Sequence, residues 1–333
     1  MTEKRVAQDG GPGSTWLVTG GAGYIGAHVV RAFQAAGMDC VVVDDLSTGH
    51  AEFVPSDVPF LRGDICETAA LAAFMRSHNV GGVVHVAGFK FAGVSVERPL
   101  ITYRANVQGV VSVLEAMEAV GARLMVFSSS AATYGSPTTP LVTEDTETHP
   151  ESPYGESKLI GEWLMADQAR ATGLRHTSLR YFNVVGSGHP DIYDSSAHNL
   201  FPLVLKALAD GATPVIFGDD YPTEDGTCVR DYVHVQDIAQ AHVVAARALR
   251  DGVRLHPVYN LGSGDGTSVR QIMDAMSRVT GTPFVPEVRA RRPGDPARIV
   301  ADGTRAARDL DWRMRYSLDE MVRSAVRVAD HSR

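Results

Sequence analysis

The sequence has little cysteine, no long apolar run and no surplus of positive charge, and each shortage closes off a class of function. Its three cysteines, Cys40, Cys66 and Cys228, are odd in number and far apart, with no Cys-x-x-Cys or Cys/His spacing. Neither a disulfide framework nor a metal site is expected, and each thiol reads as a small buried hydrophobe. No run approaches the roughly 18 apolar residues that a membrane span requires. The opening fourteen residues, MTEKRVAQDGGPGS, are polar and Gly-rich and lack the apolar core of a signal peptide, so they read as a disordered lead-in. A reducing cytoplasm is the expected compartment. With 31 Lys and Arg against 39 Asp and Glu, the formal net charge of -8 offers no face for nucleic acid, which is not an expected partner.

What is present is enough apolar content for a large core: 333 residues, 44% of them hydrophobic. Chains of this size usually form two domains, or one domain with a lobe. Thr15–Thr19 (TWLVT) reads as a buried strand running into Gly20 and then a helical pattern through Ala36, with Ile25, Val29, Val30 and Phe33 on one face. Cys40–Val43 is a β-branched run closing on Asp44, and strand-like runs recur at Gly82–His85, Leu124–Ser128 and His176–Tyr181. Helical stretches fall between them, around Ala69–Arg76, Val107–Glu118 and Tyr154–Ala171. Alternating strand and helix predicts an α/β fold with a Rossmann-type, doubly wound parallel sheet. Past Tyr181 the rhythm breaks into a Gly-, Pro-, Asp- and His-rich stretch with one helix near Leu200–Ala209, then a helical segment over 234–250 and a short strand at Tyr259–Leu261. The expected division is a cofactor domain over 15–183, with 234–256 returning to it. A smaller, discontinuous α/β lobe for substrate takes 184–233 and 257–333. The charged stretch Arg313–Arg333 reads as a solvated helix face.

Between the first strand and helix stands Gly20-Gly21-Ala22-Gly23-Tyr24-Ile25-Gly26. Glycines at 20, 23 and 26 let the chain turn tightly and its backbone approach a pyrophosphate, with the free N–H groups of the helix end facing the phosphates. The second strand ends in Asp44, the carboxylate expected about 20 residues on; it accepts from ribose hydroxyls and repels a 2′-phosphate, favouring NAD over NADP. Asp64, after the next strand, is in reach of the adenine amino group or is an ordinary loop residue.

Tyr154 and Lys158 sit four apart at the start of a predicted helix, in SPYGESK (152–158), and so share a face. A tyrosine with a pKa of about 10 is a poor base at neutral pH. A neighbouring ammonium and a cationic nicotinamide ring both favour phenolate and lower it. Ser128-Ser129-Ser130 ends a strand at the carboxyl edge of the sheet, where such sheets bind ligands; it is a bridge to a substrate hydroxyl or a plain polar turn. Asn106 either fixes backbone near the nicotinamide or serves as an N-cap for the helix expected from Val107.

TGGAGYIG, the serine cluster and YxxxK together resemble the extended short-chain dehydrogenase/reductase family. HVAGFK (85–90), SSSAATYG (128–135), SPYGESK (152–158), LRYFNVVG (179–186) and above all IFGDDYPTEDGTCVRDYVHVQD (216–237) resemble its UDP-galactose 4-epimerase branch. The resemblance runs from about residue 15 to the C-terminal region. It implies a reversible exchange of UDP-glucose and UDP-galactose. Tyr154 takes the 4-hydroxyl proton as C4 gives hydride to a tightly bound NAD, the flat 4-keto sugar swings on its UDP anchor, and hydride returns to the opposite face. Lys158 then holds the nicotinamide ribose and tunes Tyr154, while Ser130, with Ser129 beside it, bonds the 4-hydroxyl. Tyr24, Ile25, Asp45, Leu46, Ile65, Ala87, Gly88, Lys90, Asn106, Ser128, Tyr181 and Phe182 are implied around the cofactor. Asn183, Asn199, Leu200, Val215, Ile216, Phe217, Arg230, Tyr232, Arg292, Asp295 and Ile299 are implied around the UDP-sugar, with arginine forks suited to a diphosphate. A homodimer is implied as well, through helices near 95–118 and 154–170.

Three residues depart from the commoner pattern: Val184 in place of a proline, His198 in place of an asparagine, and Ile299 where the gatekeeper is often Tyr, Cys or Ser. They leave 4-epimerisation of UDP-N-acetylhexosamines or UDP-pentoses as the alternative. A nucleotide-sugar dehydratase needs an Asp-Glu pair after the strand-end Ser or Thr, and here Ala131 and Ala132 follow Ser130. A non-catalytic NAD-binding protein is disfavoured by the intact Ser130, Tyr154 and Lys158.

Overall fold

The first apolar run forms β1 (Thr15–Thr19) and, with the glycine turn behind it, leads into α1 (Tyr24–Ala35) and β2 (Cys40–Asp44). The computed structural model describes residues 13–292 and 295–329. Nearly all of the expected lead-in lies outside the described residues. Then come β3 (Phe60–Arg62), α2 (Thr68–Ser77), β4 (Val80–His85), α3 (Ala92–Glu97), α4 (Pro99–Tyr103) and α5 (Gly109–Val120). A π-helical turn, Arg104–Gln108, joins α4 to α5 without a break. The helix expected from Val107 therefore begins at Pro99, and Asn106 lies within it and is no N-cap. After β5 (Leu124–Ser130) follow α6 (Pro153–Thr172) and β6 (Arg175–Tyr181). Ser152 starts α6 by accepting from Gly155 N at 3.2 Å, with Pro153 preset at the first helical position.

The sheet is seven-stranded and parallel throughout, in the order β11-β6-β5-β4-β1-β2-β3, where β11 is Val258–Leu261. Placing residues 257–333 wholly in the lobe is thus corrected at its start: β11 is hydrogen-bonded to β6 as the edge of the main sheet. Successive side chains of each strand point to opposite faces. Trp16 and Val18 pack on one face with Val29 and Phe33 of α1, while Leu17 packs on the other with Met75 of α2 and Val113 and Met117 of α5.

The remaining elements are β7 (Asn183–Val185), α7 (Leu200–Ala209), β8 (Val215–Phe217), β9 (Val229–Arg230), β10 (Tyr232–His234) and α8 (Val235–Arg250). Beyond β11 lie β12 (Thr267–Ser268), α9 (Val269–Thr280), β13 (Glu287–Arg289), β14 (Arg298–Ile299), α10 (Thr304–Asp309) and α11 (Leu318–Val328). Helix α8 packs on the main sheet beside α1. A separate core joins Phe201 and Val204 of α7, Ile272 and Met276 of α9, and Met321 and Val322 of α11. The solvated face expected over Arg313–Arg333 narrows to one side of α11, which buries Met321, Val322, Ala325 and Val328 on the other. Residues 330–333 lie outside the described residues. No helix among the described residues is long and apolar enough to cross a membrane.

Candidate active site

A cleft of about 790 Å³ opens over the carboxyl ends of β1, β2, β4, β5 and β6. Its floor is the glycine turn. Gly20 has φ +70, and a Cβ there would meet Ala87 N at 2.7 Å. A Cβ on Gly26 would lie 2.0 Å from Gly20 O, so α1 can pack this close to the turn only with glycine. The turn delivers α1 with its first N–H groups toward the cleft, no side-chain cap at Gly23 and no acidic residue in the first turn. A helix end of this kind, with free donors and a positive dipole, suits an anion.

Asp44 ends β2 and lines the same cleft, with Oδ2 accepting from Ala22 N at 3.0 Å and Oδ1 from Leu46 N at 2.9 Å. Burial raises its pKa and those N–H groups pull it back down. Each carboxylate oxygen keeps a second lone pair, so the residue still has acceptors for ribose hydroxyls. Leu46 contributes backbone, in the left-handed region at φ 61, and does not line the cleft. Asp45, Asp64 and Ile65 do, together with Cys66. Cys66 is therefore no buried hydrophobe: it is half-exposed, and Asp64 Oδ1 accepts from its N–H. These features fit a dinucleotide.

At the opposite end Ser130, Tyr154, Lys158, Tyr181 and Phe182 line the cleft. Lys158 Nζ donates to Ser128 O at 2.9 Å and stands 5.9 Å from the Tyr154 ring centroid. Burial brings Lys158 down to about 8, against a smaller upward pull from Glu162. Tyr154 is pushed above its ordinary value by burial, with the Ser130 hydroxyl pulling the other way. Beneath Lys158, His85 stacks on Phe127 and bonds Thr19 Oγ1 at 2.8 Å; burial, and then the Lys158 charge, lower it to about 3, so it stays neutral.

The serine cluster splits, because side chains alternate along β5. Ser130 remains in the cleft, accepting from Ala132 N at 3.1 Å. Ser129 is fully buried and donates to Glu162 Oε1 at 2.5 Å, so it does not meet a ligand. Ser128 is buried as well; its hydroxyl bonds His242 Nε2 at 2.8 Å, and its carbonyl receives Lys158 Nζ. Asn106 acts as a bracket: Oδ1 accepts from Phe89 N at 2.6 Å, and Nδ2 donates to Phe89 O at 3.0 Å and to Ser157 Oγ at 2.8 Å. It fastens the loop that carries Ala87, Gly88 and Lys90 to the cleft wall.

On the lobe side, Asn183, Asn199, Leu200 and Tyr232 line the cleft. Asn199 Nδ2 donates to Asp194 Oδ2 at 2.7 Å. The structure does not bring the other expected contacts to the cleft wall. Arg230 is paired with Asp295 at 3.2 Å, and Arg292 lies over the Phe217 ring at 4.0 Å. Ile216 belongs to the lobe core, while Val215 sits beside it in β8, paired with Glu287. Ile299, in β14, packs with Tyr134, Val142, Phe182 and Ala301 behind the cleft. Residues the motifs did not single out also line the cleft, among them Phe91, Arg98, Arg104, Asp194 and Ser196. Of these, Phe91 makes an edge contact with His198 at 5.0 Å, a pairing across 107 residues of sequence that no local pattern shows. The cofactor helix is tied to the lobe directly, since Tyr24 Oη donates to Gly186 O at 2.5 Å and Gly188 N to His28 Nε2 at 2.9 Å.

Comparison with known proteins identifies relatives over most of the chain. A UDP-glucose 4-epimerase of Azospirillum brasilense is 43% identical over 93% of this chain and 90% of its own length. The crystal structure of a UDP-glucose 4-epimerase from Stenotrophomonas maltophila with bound NAD and formylated UDP-arabinopyranose superposes with a TM-score of 0.91 at 39% identity, covering 95% of this chain and 98% of that one. A Brucella ovis UDP-glucose 4-epimerase in complex with NAD gives 0.89 at 40% identity, over 94% and 97%. Residues 16–262 match the sequence profile of the NAD dependent epimerase/dehydratase family, and with these relatives alongside it the chain belongs to that family.

Proposed function

We propose that this protein interconverts UDP-glucose and UDP-galactose by inverting C4 of the hexose, with NAD held throughout the cycle. The observation that carries the reading is one continuous cleft: an uncapped helix end and Asp44 at one side, and Tyr154 beside the Ser130 hydroxyl with Lys158 behind them at the other. NAD, when bound, supplies the hydride acceptor and donor at C4.

The chain's own groups supply the rest. Gly20, Gly23 and Gly26 admit the pyrophosphate and Asp44 receives the ribose hydroxyls. Ser130 holds the sugar 4-hydroxyl against Tyr154, whose phenol oxygen takes and returns that proton. Lys158, anchored on Ser128 O, places a cation next to the phenol and favours phenolate when Tyr154 gives up its own proton. Arg230 and Arg292, which stand off the cleft wall on Asp295 and Phe217, offer guanidinium forks to the diphosphate once they turn from those partners. A firm grip on UDP leaves the hexose free to turn between two presentations of C4.

The same reading includes a cytoplasmic homodimer. Val96, Leu100 and Trp163 are exposed on neighbouring helices α3, α4 and α6, at 61%, 81% and 58%, which suits an apolar surface covered by a second copy.

The deciding experiment incubates the purified protein with UDP-galactose, without added NAD, and quantifies UDP-glucose. A mixture favouring UDP-glucose, with the rate cut about 100-fold or more by Tyr154→Phe, is the expected result. No conversion even with NAD added sinks the UDP-hexose reading and turns attention to UDP-N-acetylhexosamines and UDP-pentoses.

A further inference from the structure

Directly behind the reactive pair lies a buried ionic cluster that the proposed chemistry does not use. Tyr154, Lys158 and Glu162 occupy positions i, i+4 and i+8 of α6, one stripe of the helix. Glu162 and Arg180 are 7% and 4% exposed. Arg180 donates from Nε to Glu162 Oε1 at 2.8 Å and from Nη2 to Oε2 at 2.5 Å, and Ser129 Oγ donates to Oε1 at 2.5 Å. Ser129 and Arg180 are themselves partners in register between β5 and β6. One carboxylate therefore joins a helix to two strands. A buried ion pair adds little net stability over an apolar packing of the same volume, since desolvation offsets the attraction. Stability alone is a weak reason for this cluster to stand where it does.

Its position supplies a better one. Ser129 is flanked by Ser128, whose carbonyl receives Lys158 Nζ, and by Ser130, whose hydroxyl meets Tyr154. Any slip of α6 along β5 moves both contacts together. We propose that Glu162 is a positioning residue: clamped by Ser129 and Arg180, it sets the register of α6 on β5 and β6 that brings Tyr154 to Ser130 and Lys158 to the Ser128 carbonyl, and it is the anion facing the Lys158 ammonium. This rests on the proposed role of Tyr154 and Lys158.

The groups around the pair support that electrostatic role. Lys158 is faced by Tyr154 and Glu162 on its own helix, by His85 of β4, and by Phe127 and the Ser128 carbonyl of β5, while Tyr181 of β6 lies against Tyr154 and Ser128. Glu162 is faced by Arg180 and His176 of β6, with Tyr134 stacked on Arg180 at 4.7 Å, while His242 of α8 reaches Ser128 from the far side of the sheet. Burial keeps His85, His176 and His242 below the ordinary histidine value. Near neutral pH the charges in this shell are Lys158, Glu162 and Arg180.

The test compares Glu162→Gln, Glu162→Asp and Ser129→Ala in the full-length protein. Glu162→Gln is expected to lower kcat about tenfold or more, leave KM for UDP-galactose within about twofold, and move the alkaline limb of the pH profile to lower pH. Ser129→Ala and Glu162→Asp keep the charge; each is expected to lower kcat less and leave that limb in place. Titration of Lys158 by ¹⁵N-lysine NMR reads the same coupling without substrate. An inactive wild-type protein would thus defeat the substrate reading while this measurement still stands. Wild-type kcat and an unmoved Lys158 titration in folded Glu162→Gln overturn the proposal. If Glu162→Gln does not fold, full wild-type activity in both Ser129→Ala and Glu162→Asp does so instead.

Discussion

Burial raises the Tyr154 phenol and the Ser130 hydroxyl pulls it the other way, the upward push being the larger. Lys158, whose ammonium rests on the Ser128 carbonyl 5.9 Å from the Tyr154 ring centroid, is itself brought down to about 8 by burial. In the proposed reaction a cationic nicotinamide ring in the cleft would favour the phenolate further. Tyr24 illustrates a second duty at the same scale. Its hydroxyl donates to Gly186 O, joining the cofactor helix to the lobe. Tyr24→Phe leaves that buried carbonyl without its donor and is expected to cost about 1–3 kcal/mol in urea unfolding. It is also expected to raise KM for the UDP-sugar more than it lowers kcat.

At the scale of elements, the glycine turn and α1 form one unit whose spacing tolerates no added atom. In Gly26→Ala the new Cβ would lie 2.0 Å from Gly20 O, and relief requires α1 to move away from the turn. Overpacking of this kind costs about 1–3 kcal/mol. Purified Gly26→Ala is expected to carry little nucleotide, seen as a fall in the 260/280 nm absorbance ratio, and to melt at a lower temperature. Helices α3, α4 and α6 show the converse, with apolar side chains left outside. Leu100→Glu combined with Trp163→Glu is expected to halve the mass measured by light scattering on a sizing column. A wild-type mass of one chain rules the homodimer out, and a dimer mass unchanged in the variant places the contact on another face.

For the whole molecule, four buried histidines among the described residues favour unfolding in acid. His28, His234 and His242 are lowered to about 4 and His85 to about 3, chiefly by burial. In the unfolded chain each takes a proton near pH 6.5, while the folded protein refuses it, so unfolding binds protons throughout the interval between. Their contribution is complete above about pH 6.5 and is lost as pH falls toward 4. Melting temperature should therefore drop steadily from pH 7 to pH 5, and a flat profile would contradict the buried neutral state. His242 was legible only as one position of a helix over 234–250; its bond to Ser128 spans 114 residues. Local pattern was enough for the strand–turn–helix of Thr15–Ala35, the carboxylate at Asp44 and the shared face of Tyr154 and Lys158, because tight turns and helical periodicity are decided by neighbours in the chain. The tertiary structure alone decided that Ser129 faces Glu162 and Ser130 the cleft, that Asn106 brackets Phe89, and that Val258–Leu261 joins the main sheet. Those outcomes depend on which strand lies beside which and on which face each side chain meets, and long-range packing settles both.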